Sequence, residues 1–334
     1  MQREITNEKN IFDASGKVCC AGWSRKPDFL FDKSLCKNRF ALTERDSYLI
    51  VGDGAAVYLS VVEKGINAEV TAAIVDFNTG DQDFRTLKKY MSFGKLSMPA
   101  SSKNGDVTFT DTRVGMNFSN TALNRYIRCE FVDFYKEKTL YINLELKERI
   151  DESFNIMLPS KANPKSFFLK RFVPYMSASG IVRCGGAEYN MNKDSAVAYL
   201  DWQRYSLSEK SCYHALYANT EINGKQFALC LAGGVGDTSE GSENCFFLDG
   251  EIHKFASVKA LGKEERPDKP WKFTAGSSAM ELTFKPSIKS GKLLCVTTGG
   301  KTLVFGELYG YIKQIDTEKL YLDAIPAHME FSII

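Results

Sequence analysis

Apolar residues recur at every second position in run after run of this chain. Leu140, Ile142, Leu144 and Leu146 in TLYINLEL follow the rule, as do Phe227, Leu229 and Leu231 in KQFALCLAG, and Met280, Leu282 and Phe284 in AMELTFKP. A period of two places alternate side chains on one face of a sheet, a pattern no α-helix satisfies. Between such runs lie Asn104-Gly105, Gly185-Gly186, Asn223-Gly224, Asp249-Gly250 and Gly299-Gly300, dipeptides that accept positive φ and so close tight antiparallel hairpins. Residues 121–129 and 207–219 suit either short helices or irregular strands. With few helices and no βαβ rhythm, the expected fold class is all-β, built from antiparallel barrels or sandwiches.

A chain of 334 residues exceeds the usual size of one core, so two domains or one large β unit are expected. Pro159 and Pro164 bracket a small polar stretch between two strand-rich halves, which places the expected boundary between 1–163 and 164–334. Lys and Arg number 43 against 41 Asp and Glu, and no run of like charge stands out. Nucleic acid, which needs a concentrated basic face, is therefore not an expected partner. The 23 Phe and 15 Tyr fit sheets whose faces are filled by flat side chains. Nine cysteines, an odd number with no CxxC spacing, indicate neither a disulfide framework nor a zinc site. The start, MQREITNEKN, lacks an apolar signal-peptide region, and stretches such as AAVYLSVV are too short to span a bilayer. These features lead to the expectation of a cytoplasmic protein with no integral membrane segment; oligomeric state is left open.

The stretch AYLDWQRYSL, residues 198–207, sets an acid, an indole and a guanidinium into what otherwise reads as a strand. On an extended backbone Asp201, Gln203 and Tyr205 share one face while Trp202 and Arg204 share the other. If the strand continues, Asp201 cannot pair with Arg204; if it bulges, the two meet and close a barrel end. In the functional alternative Asp201 lines a cavity, where desolvation raises its pKa and suits it to proton transfer. Residues 233–250, GGVGDTSEGSENCFFLDG, form a second polar concentration that makes Asp237 and Glu243 candidate catalytic groups beside Asn244. That loop lacks a nucleotide-binding glycine pattern. His214, His253 and His328 share no metal-ligand spacing, so no metal or cofactor is expected. His214 is weighed as a packed or ligand-facing side chain, and Trp271 as an anchor over a barrel end.

An ordered set of segments resembles the bacterial domain-of-unknown-function family 2804. The set comprises QREIT at 2–6, IFDASGK at 11–17, GWSRKP at 22–27, SASGIVRCGGAEYNMNKDSAVAYLDWQRYSL at 177–207, GDTSEGSENCFFLDGEIHKF at 236–255 and PWKF at 270–273. In that family the central motif usually reads Leu-Asp-Trp-Gly-Arg-Gly; this chain keeps Leu200, Asp201, Trp202 and Arg204 and has Gln203 and Tyr205 at the glycine positions. More remotely the family resembles the hydroxyneurosporene synthase, or carotenoid hydratase, group. That resemblance implies two tandem lipocalin-like, calycin-like antiparallel β-barrels or half-barrels with few short helices, and a cavity able to hold an apolar molecule.

The expected function is binding of a hydrophobic small molecule in a barrel or interdomain cavity, with cofactor-independent acid–base chemistry of a hydratase, isomerase or cyclase kind as its enzymatic form. Asp201 would then act as the acid, and Glu243 or Asp237 would activate water. Trp202, Arg204, Tyr205, His214, Asn244 and Trp271 would contact the ligand. Two alternatives stand beside it: a non-catalytic lipid or small-molecule carrier, and a carbohydrate hydrolase using two of Asp201, Asp237, Glu240 and Glu243.

Overall fold

The computed structural model describes residues 2–121, 124–207, 210–298, 300–313 and 318–334. Among them the helical elements are two single 3₁₀ turns, Lys33–Leu35 and Gly276–Ser278, and the rest of the regular structure is strand. The two segments that admitted a helix are strands where described: Asn124–Tyr135 and Cys212–Ile222. The first alternates buried and exposed positions over most of its length, while the second is buried on both faces from Ala215 to Ala218, between the two apolar layers it serves, and cross-strand packing decides between the two readings. Hairpin turns fall at Gly185-Gly186, Asn223-Gly224 and Asp249-Gly250, and also at Asp53-Gly54, between Thr43–Gly52 and Ala55–Lys64. Asn104-Gly105 instead lies in an irregular loop, and Gly299 lies outside the described residues.

Two large antiparallel sheets result. In the first, of 13 strands, Thr43–Gly52 starts a meander through Ala55–Lys64 and Asn67–Asp76 to Gln82–Lys89. On its other edge Thr43–Gly52 pairs with Val197–Ser206, which pairs with Phe167–Cys184. The sheet then continues through Lys138–Lys147, Asn124–Tyr135 and Val114–Thr121 to Val107–Thr110. It curls until its edge strand Gln82–Lys89 meets Asn124–Tyr135 and Lys138–Lys147 through side chains: Arg85 bonds Asp133 at 3.0 Å and Lys138 bonds Asp83 at 2.5 Å. The second sheet, of 10 strands, centres on Cys212–Ile222, Lys319–Ile333 and Lys301–Lys313. This is the all-β antiparallel fold that the alternation predicts, in the half-barrel form that the family resemblance implies. The last strand of the first sheet ends at Ser206 and the first of the second begins at Cys212, so Pro159 and Pro164 flank a hairpin inside the first sheet, between Phe154–Pro159 and Phe167–Cys184. Residues 167–206 thus pair with the N-terminal strands: two prolines at a hairpin tip look in sequence like a linker, and only the pairing distinguishes them.

Three apolar layers follow from two curled sheets. Leu140, Ile142, Leu144 and Leu146 fill the hollow of the first, and Leu229, Leu231, Leu282 and Phe284 that of the second. Between the sheets Phe154, Phe168, Phe172 and Tyr199 meet Tyr213, Tyr217, Phe247 and Phe305. The extreme N-terminal residues also bridge the sheets: Arg3 N donates to Glu240 O at 2.7 Å, and Gln2 Nε2 donates to Ser242 Oγ at 2.7 Å. No helix of the described residues is long and apolar enough to cross a membrane.

Phe167–Cys184 serves both sheet halves by bending near Tyr175, where its register with Val197–Ser206 shifts. Beyond the bend it packs so closely on Lys138–Lys147 that a Cβ on Gly180, at φ +124°, would stand 2.2 Å from the Asn143 carbonyl oxygen. Both the backbone conformation and the clash oppose a side chain. Gly180→Ala is therefore expected to lower stability by at least about 2 kcal/mol, measured as the shift of the urea unfolding midpoint.

Candidate functional site

Val197–Ser206 remains extended, and its alternation separates two environments. Ala198, Leu200 and Trp202 enter the hollow of the first half-barrel, while Tyr199 and Tyr205 join the inter-sheet layer, with Asp201 and Gln203 on the same side. Asp201 accordingly does not meet Arg204. The Arg204 guanidinium is held by Asp46 at 2.8 Å and by Glu44 at 3.5 Å, donates to Pro99 O, and lies 4.2 Å from the Trp202 ring centroid.

Asp201 belongs to a buried polar network between the sheets. Its Oδ2 accepts from Gln203 Nε2 at 2.8 Å, and its Oδ1 is 3.8 Å from Lys170 Nζ. Lys170, fully buried, comes from the apolar run FFLKRFVPY and donates across the layer to Tyr213 Oη and Tyr217 Oη, both at 2.8 Å, and to Glu243 Oε1 at 2.9 Å. Tyr213 Oη also donates to Glu243 Oε1, at 2.9 Å. Glu243 thus brings the acidic loop to Asp201 through one shared ammonium. Lys301 and Glu330, 2.6 Å apart, and Arg45 complete a set of three cations and three carboxylates, all buried. Burial raises the Asp201 carboxyl above the usual range against the pull of Lys170. Burial also opposes the Lys170 ammonium, but Asp201 and then Glu243 among its neighbours outweigh it and hold the group charged well above the ordinary lysine range.

Next to this network the sheets part around a cavity of about 360 Å³. Leu49, Val51, Phe77, Val197, Leu294 and Phe305 make most of its wall apolar, and Tyr199 and His328 supply a polar edge. Their side chains are hydrogen-bonded, Tyr199 Oη to His328 Nε2 at 2.7 Å. Burial keeps the imidazole neutral, its pKa pushed down to about 4 against the opposing charge of Glu330. Burial likewise lifts the Tyr199 phenol well above its usual range, with Glu330 and Asp201 adding to the effect.

The candidate residues divide among several places. Asp201 and Glu243 share the network, without either lining the cavity. Tyr205 is packed on Phe168 in the inter-sheet layer. Asp237 is partly exposed, 3.7 Å from Lys161, and accepts the Ser239 N–H. His214 and Asn244 line a separate hollow of about 210 Å³ in the second half-barrel, where the Trp271 ring lies 5.8 Å from the imidazole. Trp202 lines another in the first, of about 180 Å³. Tyr199, His328 and Lys170 were not among the sequence candidates. Lys170 carries a usable signal, since a charge inside an apolar strand must find partners, whereas the approach of His328 to Tyr199 is non-local.

The family model described as domain of unknown function DUF2804 matches residues 2–332. The chain belongs to this family. Comparison with curated proteins found no match. Among solved structures the chain is similar to kievitone hydratase from Nectria haematococca, with a TM-score of 0.55, 8% identity, and coverage of 87% of this chain and 88% of that one. It is equally similar to a protein from Nitrosomonas europaea whose assignment as an ATTH is provisional: TM-score 0.55, 13% identity, 87% and 92% covered. At such identities the likeness speaks for the fold, a tandem lipocalin-like pair of sheets.

Two outcomes follow from the buried charges. Lys170→Met strands two carboxylates and is expected to cost about 3–5 kcal/mol in urea unfolding, with Glu243→Gln in the same chain restoring part of the loss. For His328 the unfolded imidazole takes up a proton below its ordinary pKa of 6.5, while the folded one stays neutral down to about 4. Stability from this source is present above pH 6.5 and is lost as pH falls towards 4, by roughly 3 kcal/mol. Unfolding curves of His328→Gln should lack that component across the same range.

Proposed function

We propose that this member of DUF2804 binds a largely apolar small molecule between its sheets and transforms it by cofactor-independent acid–base chemistry at Tyr199 and His328. The observation that carries the reading is the 2.7 Å Tyr199–His328 hydrogen bond on the wall of a mostly apolar cavity, whose lining also includes Asn219, Ser287, Lys289 and Glu307. A neutral imidazole with its proton on Nε2 donates to the phenol oxygen and leaves the tyrosine hydrogen for the ligand. Tyr199 then polarises a ligand carbonyl by donating a hydrogen bond to its oxygen, a role common to hydration, dehydration and double-bond isomerisation of conjugated carbonyl compounds. Burial, with the charges of Glu330 and then Asp201 adding to it, keeps the phenol protonated, so Asp201, two residues along the same strand face, acts as a positioning residue.

The likeness to kievitone hydratase supports this reading at the level of fold and of the chemistry that protein's name describes. The carbohydrate reading loses support, because Asp201 and Glu243 are both buried with Lys170 between them instead of flanking an open groove.

The uncharged fluorophore N-phenyl-1-naphthylamine serves as a probe of the cavity. Wild-type protein and Tyr199→Phe should both bind it, whereas Val197→Trp, which fills the cavity from its half-buried wall, should not. Retention of the probe by Val197→Trp would place binding elsewhere. For chemistry, the ligand extracted from purified protein is identified by mass spectrometry and incubated with each variant. Tyr199→Phe should slow its conversion by on the order of 10²–10⁴-fold, and a ligand returned unchanged by the wild type would make the protein a carrier.

A further inference from the structure

We propose a second ligand site, distinct from the inter-sheet cavity: the hollow of the first half-barrel beside Arg171 binds the carboxylate of a small apolar acid. Arg171 follows Lys170 on Phe167–Cys184 and therefore points the opposite way, into the first half-barrel, with Asn155 and Trp202 as its cross-strand neighbours. Its residue is 5% exposed. Beside it lies the hollow of about 180 Å³, walled by Phe29, Phe31, Leu169 and Trp202, with Ser102 and Asn155 as polar neighbours.

The charge balance of this interior is incomplete. Arg125 is neutralised by Glu148 at 2.6 Å, and Arg204 by Asp46 at 2.8 Å. Glu44 is shared by Lys33 and Arg204. Arg171 has only hydroxyl acceptors: its Nε donates to Ser153 Oγ at 3.1 Å and its Nη1 to Ser102 Oγ at 2.8 Å. Among the described residues it forms no ion pair. The two serines fix the guanidinium plane without cancelling its charge. A buried charge left in that condition is costly, and an anion from outside relieves it. Burial lowers the Arg171 pKa to about 10 against the attraction of Glu148, which Arg125 also engages, with Arg125 adding its repulsion, so the group remains cationic at neutral pH.

The chemistry of the hollow selects the ligand. A planar guanidinium matches a carboxylate in two parallel hydrogen bonds. The aromatic and aliphatic walls suit an apolar body, and they offer too few donors for a phosphate dianion. The indole N–H of Trp202, a residue that also lines the hollow, has no acceptor among the described residues.

Calorimetric titration at pH 7 with sodium benzoate, benzyl alcohol and inorganic phosphate tests the assignment, using the full chain and the size-matched variant Arg171→Met. Benzoate should bind the wild type, and bind Arg171→Met at least about tenfold more weakly. Benzyl alcohol and phosphate should bind the wild type less tightly than benzoate. The Tm of ligand-free Arg171→Met should equal or exceed that of the wild type, since an unpaired buried charge has been removed, so weakened binding is not a consequence of unfolding. Val197→Trp, blocked only between the sheets, should keep benzoate affinity, which separates failure here from failure of the inter-sheet reading. Unchanged benzoate affinity in Arg171→Met overturns the proposal, as does phosphate or benzyl alcohol binding as tightly as benzoate.

Discussion

One ammonium group joins the two halves of this protein. Lys170 leaves the first sheet, crosses a layer rich in aromatic rings, and ends among two phenols and a carboxylate of the second while remaining 3.8 Å from Asp201 of its own sheet. A lysine with no exposure is tolerated only because the partners converging on it come from strands far apart in the chain. Its geometric demand is narrower than that of the surrounding phenylalanines, which would accept many relative positions of the sheets. Buried ion pairs add little net stability over apolar packing, but in some proteins they select one arrangement among several compact ones. Here the arrangement selected is the one that leaves a gap where Tyr199 meets His328.

The same geometry explains why neighbouring residues belong to different sites. A strand shared between a half-barrel interior and an inter-sheet layer sends successive side chains into separate compartments. Lys170 and Arg171 are covalent neighbours with opposite surroundings: one is enclosed by acids and phenols, the other held by serines alone. Asp201 and Trp202 repeat the division on the adjacent strand. A motif contiguous in sequence is thus two half-motifs in space, each completed by strands from elsewhere.

Much of this was legible in the chain. Period-two alternation and glycine-bearing turns sufficed for an antiparallel fold, and simple parity separated Asp201, Gln203 and Tyr205 from Trp202 and Arg204. Parity does not say which strand lies opposite. Tyr199 finds His328 from 129 positions away, and Val197–Ser206 lies beside Thr43–Gly52; no local pattern encodes either. His328 was considered in sequence only for metal-ligand spacing, which is a local property, whereas its surroundings are set by packing. Pro159 and Pro164 misled for a related reason, because a hairpin tip and a linker have the same composition.

The pairing of Thr43–Gly52 with Val197–Ser206 also bears on how the molecule is made. During translation the earlier strand emerges with one edge of hydrogen-bonding groups open, and its partner is not yet synthesised. At about 5–20 residues per second the wait is on the order of ten seconds. A strand with a bare edge, apolar here from Tyr48 to Val51, is prone to join a foreign one over such an interval. The edge of Thr43–Gly52 is therefore closed only after residue 206 has cleared the exit tunnel.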